Sequence, residues 1–105
     1  MSDTKFTPGP WSCTKAAPSG DRGIYAAGTG IFAEAYADIR RAGENNAAEA
    51  EANAHLIAAA PDLYAALLVA ELASEELCQG QDPANECWVT LATIRSALAK
   101  AQGEA

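Results

Sequence analysis

Ile24-Tyr25-Ala26-Ala27-Gly28-Thr29-Gly30-Ile31-Phe32-Ala33-Glu34-Ala35-Tyr36 is the stretch that decides the fold of this 105-residue chain. Two short apolar and aromatic runs flank a Gly-Thr-Gly centre. Glycine supplies the positive φ angles that a tight reversal needs, so the segment reads as a β-hairpin. A phosphate-binding loop would place a helix and a Lys-Ser/Thr pair after the glycines, and both are missing.

Working upstream, Trp11-Ser12-Cys13-Thr14-Lys15 alternates in strand fashion, and residues 16–23 carry Pro18, Gly20 and Gly23, the composition of a loop. The sheet is therefore expected to be a three-stranded antiparallel meander over about residues 10–39. Thr7-Pro8-Gly9-Pro10 makes a stiff entry to it, with Trp11 closing over the core. Residues 1–6 read as a mobile terminus.

Downstream, Gly43-Glu44-Asn45-Asn46 is a polar break with Asn46 as a helix N-cap. Residues 47–59 follow in helical pattern, with Ala52, Leu56 and Ala59 on one side and Asn53 and Ile57 beside them. Pro61 suits the first turn of a second helix running to Cys78, with an apolar face of Leu63, Tyr64, Leu67, Leu68 and Leu72. Gly80 ends that helix, and Asp82-Pro83 is expected to start a third as N-cap and first helical residue. Cys87, Leu91, Ile94, Leu98 and Ala101 form a seam suited to antiparallel pairing with the second helix, or with another subunit. The expected fold is α+β: one domain over residues 7–105, with a small three-stranded sheet, two to three helices over about 47–102, and a C-terminal helical hairpin.

Half of the residues are apolar, which suits a folded protein and argues against disorder. About a quarter are alanine, which favours helix but buries little area. A thin core on a short chain points to a homo-oligomer. No apolar run is long enough for a membrane span and the first residues lack a secretory h-region, so the expected location is the cytoplasm. Cys13, Cys78 and Cys87 are then expected as thiols, although Cys78 and Cys87 flank a helix–helix turn and could be bridged.

The net charge of −7 is uneven. Residues 1–41 hold five basic and four acidic side chains, whereas only Arg95 and Lys100 oppose ten acidic ones from residue 42 onward. Solvated helix faces account for such an imbalance. It also suits an anion-binding first half and a second half that repels or imitates nucleic acid.

No catalytic constellation is visible. His55 is the only histidine, and neither a serine elbow, a Cys-His pair in sequence nor paired carboxylates accompany it. Cys78 and Cys87 are too far apart for a zinc knuckle, so no metal and no cofactor is expected. The chain is read as a non-enzyme that binds.

Two segments together, Thr7-Pro8-Gly9-Pro10-Trp11 and Ala52-Asn53-Ala54-His55-Leu56-Ile57-Ala58-Ala59-Ala60-Pro61-Asp62-Leu63, resemble a group of small phage and prophage proteins. That group commonly carries arginine at the position of His55. The resemblance implies an accessory protein that counters host defence. In one form it is an oligomeric sponge that sequesters a nucleotide immune signal, such as a cyclic nucleotide or an ADP-ribose derivative. Trp11 or Tyr25 would then stack on a base, Arg22, Arg40 or Arg41 would meet phosphate, and Asn53 and His55 would lie nearby. In the other form it is an acidic inhibitor of a nucleic-acid-recognising defence complex such as a CRISPR effector. Glu71, Glu75 and Glu76 would form a carboxylate row resembling backbone phosphates.

Overall fold

A computed structural model describes residues 6–35 and 47–104. The element order is β1 (Trp11–Cys13), β2 (Arg22–Ala26), β3 (Ile31–Ala35), α1 (Ala47–Ala58), α2 (Ala60–Cys78) and α3 (Glu86–Ala101). This is the expected α+β succession of a three-stranded antiparallel sheet, ordered β1-β2-β3, followed by helices. The expected roles of Tyr36, Arg40, Arg41 and Asn46, and the terminus before residue 6, lie outside the described residues. The chain divides into two compact units, Met1–Asp62 and Leu63–Ala105.

In the first unit, the β2–β3 reversal closes with the Thr29 N–H donating to the Ala26 carbonyl at 3.0 Å, and Gly28 takes a φ of 80°. The pairing is not a clean alternation. Ile24 faces Ala33 and Tyr25 faces Ile31, which leaves Phe32 as an extra residue in β3. Such a bulge re-aims a side chain. Phe32 accordingly meets Trp11 edge-on, with centroids 4.9 Å apart.

The core of this unit is Ile24, Ala35 and Ala54, with Trp11, Cys13, Ala33 and Ile57 packed around it. This corrects the face expected of α1. Ala50 and Ala54 are buried, whereas Ala52 and Leu56 are exposed, Leu56 to 64%. In an alanine-rich helix every face is mildly apolar, so periodicity does not select one. The sheet accepts the small Ala50–Ala54 side because alanine lets the helix approach its strands closely.

The two motifs of the sequence meet in this unit. A Cβ built on Gly9 would stand 2.7 Å from Pro61 Cβ. Only a residue without a side chain lets the entry segment lie against the start of α2. The Gly9–Pro10 peptide is cis, and the Trp11 indole N–H donates to the Thr7 carbonyl at 2.9 Å.

The second unit is a helical hairpin. Its antiparallel sense follows from its contacts. Gln102 Nε2, just past the end of α3, donates to the Tyr64 hydroxyl near the start of α2 at 2.8 Å, and Arg95 in the middle of α3 bonds Glu71 and Glu75 of α2. Cys78, Leu91 and Leu98 are buried, so most of the predicted α3 seam faces inward, although Ala101 is exposed. Gly80, at φ 80°, follows the end of α2 as expected. The start of α3 is corrected. Asn85, not Asp82, is the N-cap, its side chain accepting from the Cys87 N–H at 2.9 Å. Asp82 instead holds a turn one step earlier, its carboxylate accepting from Ala84 N–H at 2.8 Å. Both residues are good caps by type, and the turn at 82–85 decides between them.

Candidate functional site

The side chains singled out on the sheet do not converge. Strand alternation puts Arg22, Ile24 and Ala26 toward α1 and Tyr25 on the opposite, exposed face. Trp11 packs against the core on the α1 side. Trp11 and Tyr25 therefore cannot stack on one ligand. Asn53 and His55 are both exposed, but two residues apart on α1 they lie on different flanks.

Arg22 is engaged by its own fold. One terminal nitrogen donates to the Thr14 carbonyl at 3.2 Å, and the other lies 3.3 Å from Glu51 Oε2. Its Nε is buried without a hydrogen-bond partner. The Glu51 carboxylate offsets the charge that a phosphate would seek.

His55, by contrast, has neighbours that the linear sequence does not disclose. Its Nδ1 is 3.6 Å from Cys13 Sγ, and its Nε2 is 3.7 Å from Glu51 Oε2. Cys13 comes from β1, His55 and Glu51 from successive turns of α1, and Arg22 from β2. A thiol, an imidazole, a carboxylate and a guanidinium thus form a chain along one edge of the sheet–helix contact. The sequence hides it because Cys13 and His55 are 42 residues apart. The one available signal is the i, i+4 spacing of Glu51 and His55. Among the described residues no group of three or more His, Cys, Asp or Glu could hold a metal ion. The two ring nitrogens of His55 point to different partners, as a shared ligand set would not.

On the hairpin, the anticipated carboxylate row is split. Glu71 and Glu75 turn toward Arg95, with Glu71 Oε2 3.1 Å from its Nε, while Glu76 projects from another side of α2 and is exposed. The outer side of α2 also carries exposed apolar side chains, with Glu76 among them. Val69 and Leu72 are each 68% exposed and Leu77 is 73% exposed. On α3, Trp88, Val89, Ala92, Thr93, Ser96 and Lys100 line a shallow, mostly apolar depression. Large apolar side chains gathered on one exposed face are a mark of interaction surfaces.

The three cysteines are free thiols. Burial pushes the Cys78 thiol up from 9.0 to about 11; the hydrogen bond and charge of Cys87 add to this and Arg95 opposes it. Among the described residues no single helix is long and apolar enough to cross a membrane.

The chain belongs to the family described as Salmonella phage P22 protein Y8K6, whose model it matches over residues 1–105. No curated protein and no solved structure matches it.

Proposed function

We propose that this member of a phage P22 protein family is an accessory protein that counters host defence by binding rather than by catalysis, and that its working surface is the outer face of the α2–α3 hairpin. The partner is a host protein that recognises nucleic acid, such as a CRISPR effector, met in the bacterial cytoplasm. The observation that carries this reading is the exposure of Val69, Leu72 and Leu77 on a helix whose inner side is already packed. Burial of such side chains supplies about 1.5–3 kcal/mol each when a partner covers them.

Charge selects the kind of partner. Over residues 63–105 six carboxylates face only two cations, Arg95 and Lys100. A surface that mixes exposed apolar and acidic side chains fits a protein whose own groove is basic, as nucleic-acid-recognising proteins are. With Glu71 and Glu75 held by Arg95, apolar contact carries the affinity and acidity steers the encounter. The test is plating of a phage targeted by a CRISPR effector, in cells expressing the wild-type chain or a Val69→Glu/Leu72→Glu variant. Rescue by the wild type and none by the variant is expected. Rescue by both would remove the hairpin face from the reading, and rescue by neither would remove this target.

A second reading, sequestration of a nucleotide signal by a homo-oligomer, keeps one specific support. The Phe32 ring is 40% exposed beside Trp11, with Phe6 on Trp11 at 6.0 Å, giving an aromatic surface on which a base could stack. Thermal stabilisation by a cyclic di- or trinucleotide or an ADP-ribose derivative, lost in Phe32→Ala, would favour it over the first reading. No shift with any of them would exclude it.

A further inference from the structure

The chain of contacts from Cys13 to Arg22 plays no part in either reading above, and its order is chemically directional. Cys13 Sγ lies 3.6 Å from His55 Nδ1, His55 Nε2 lies 3.7 Å from Glu51 Oε2, and Glu51 Oε2 lies 3.3 Å from an Arg22 nitrogen. A carboxylate beside one ring nitrogen favours the hydrogen on that nitrogen and leaves the other as an acceptor. Glu51 thus disposes Nδ1 to accept from the thiol. Arg22 in turn holds Glu51 in place, and is itself anchored to the carbonyl of Thr14, the residue after Cys13. A nucleophile, a base and a group that orients the base are the parts from which an activated thiol is made.

Access is the second part of the case. The Cys13 thiol is half-buried rather than sealed in the core, and the His55 side chain is 63% exposed. Cys78, by contrast, is fully buried. An exposed imidazole contributes little to packing, so its contact with a thiol from a distant strand calls for a chemical account. The exposed imidazole beside a half-buried thiol suits reaction with a small reagent that approaches from solvent.

We propose that Cys13 is a nucleophilic thiol activated by His55, and that it takes a small disulfide of the glutathione type in a reversible thiolation. His55 Nδ1 accepts the Cys13 proton as the thiolate attacks one sulfur of the disulfide. A new Sγ–S bond forms, the disulfide S–S bond breaks, and the departing thiolate takes the proton from His55. The disulfide is reduced to one free thiol and Cys13 is oxidised to the mixed disulfide, so no further oxidant is needed.

The test follows each cysteine of the full chain by mass spectrometry during exposure to oxidised glutathione, in wild type, His55→Gln and Glu51→Gln. His55 and Glu51 are both exposed, so these variants should fold. Near neutral pH the wild-type Cys13 should react about tenfold faster than Cys13 of His55→Gln. The gap should close at alkaline pH, where a thiol ionises without a base, and Glu51→Gln should fall between. Equal Cys13 rates in wild type and His55→Gln at every pH, or a Cys87 as fast as Cys13, would overturn the activation. Iodoacetamide, which needs only a thiolate, separates the two halves of the proposal. His55-dependent alkylation without reaction at oxidised glutathione would overturn the disulfide as substrate.

Discussion

The sheet unit and the helical hairpin both expose some large apolar residues, but they are held together by different means. The sheet unit gathers a small core around Ile24, Ala35 and Ala54, while Ile31 and Leu56 stay in solvent. It is tied by polar links: Trp11 to Thr7, Thr14 to Gly23, Arg22 to Glu51 and Cys13 to His55. The hairpin buries Cys78, Leu91 and Leu98 along one seam and leaves Val69, Leu72, Leu77 and Val89 in solvent. The difference teaches where each unit can do chemistry. Reactive polar groups collect where strands and helix converge, whereas the hairpin offers area.

The strongest way to break the comparison is at the hairpin seam. Leu91→Ala should lower unfolding stability by about 2–5 kcal/mol in urea titrations, because a two-helix seam has few neighbours able to collapse into the cavity. A loss below about 0.5 kcal/mol, typical of a surface site, would mean that Leu91 is not a core residue.

Alkaline pH probes the same seam by another route. Cys78 holds its proton in the folded state up to about 11, while the unfolded chain releases it near 9.0. The unfolded state therefore binds fewer protons between these values. Stability present below pH 9 should decline as pH rises toward about 11. Urea titrations across that window should show the decline in wild type and a flatter profile in Cys78→Ala.

In the sheet unit, Gly9→Ala places a methyl group 2.7 Å from Pro61 Cβ. A cost of about 1–3 kcal/mol is expected from such overpacking. An unchanged melting temperature would show that the contact between the two motifs yields freely.

The surface ion pairs should matter less. Arg95→Met breaks its links to Glu71 and Glu75, and because these groups are substantially exposed the loss should be no more than about 1 kcal/mol. Smallest of all in stability is Val69→Glu/Leu72→Glu, expected to stay within about 0.5 kcal/mol per site while removing the proposed partner contact. Marked destabilisation of that variant would mean that the outer face of α2 already has a structural role, and the contrast between the two units would fall.

Much of the architecture is legible in the amino-acid sequence alone. Gly-Thr-Gly between two β-type runs announces the hairpin, Gly80 the end of α2, and the Cys87–Leu91–Ile94–Leu98 spacing the inner side of α3. These are local signals, set by φ preferences and by the helical repeat. The site is less legible. Residue type alone nominates the expected ligand residues, and strand alternation then divides Trp11 from Tyr25. Ion pairing engages Arg22 with Glu51, and Glu71 and Glu75 with Arg95.

By itself the sequence determined element type and order, the turns, and the imbalance of charge, because each depends on neighbours a few residues away. Only the tertiary structure decided which side of the alanine-rich α1 is inside and that Phe32 bulges toward Trp11. It alone placed Cys13 beside His55. Those outcomes depend on close approach between segments distant in sequence, where side chains of nearly equal hydropathy differ in size and small residues admit what larger ones would exclude.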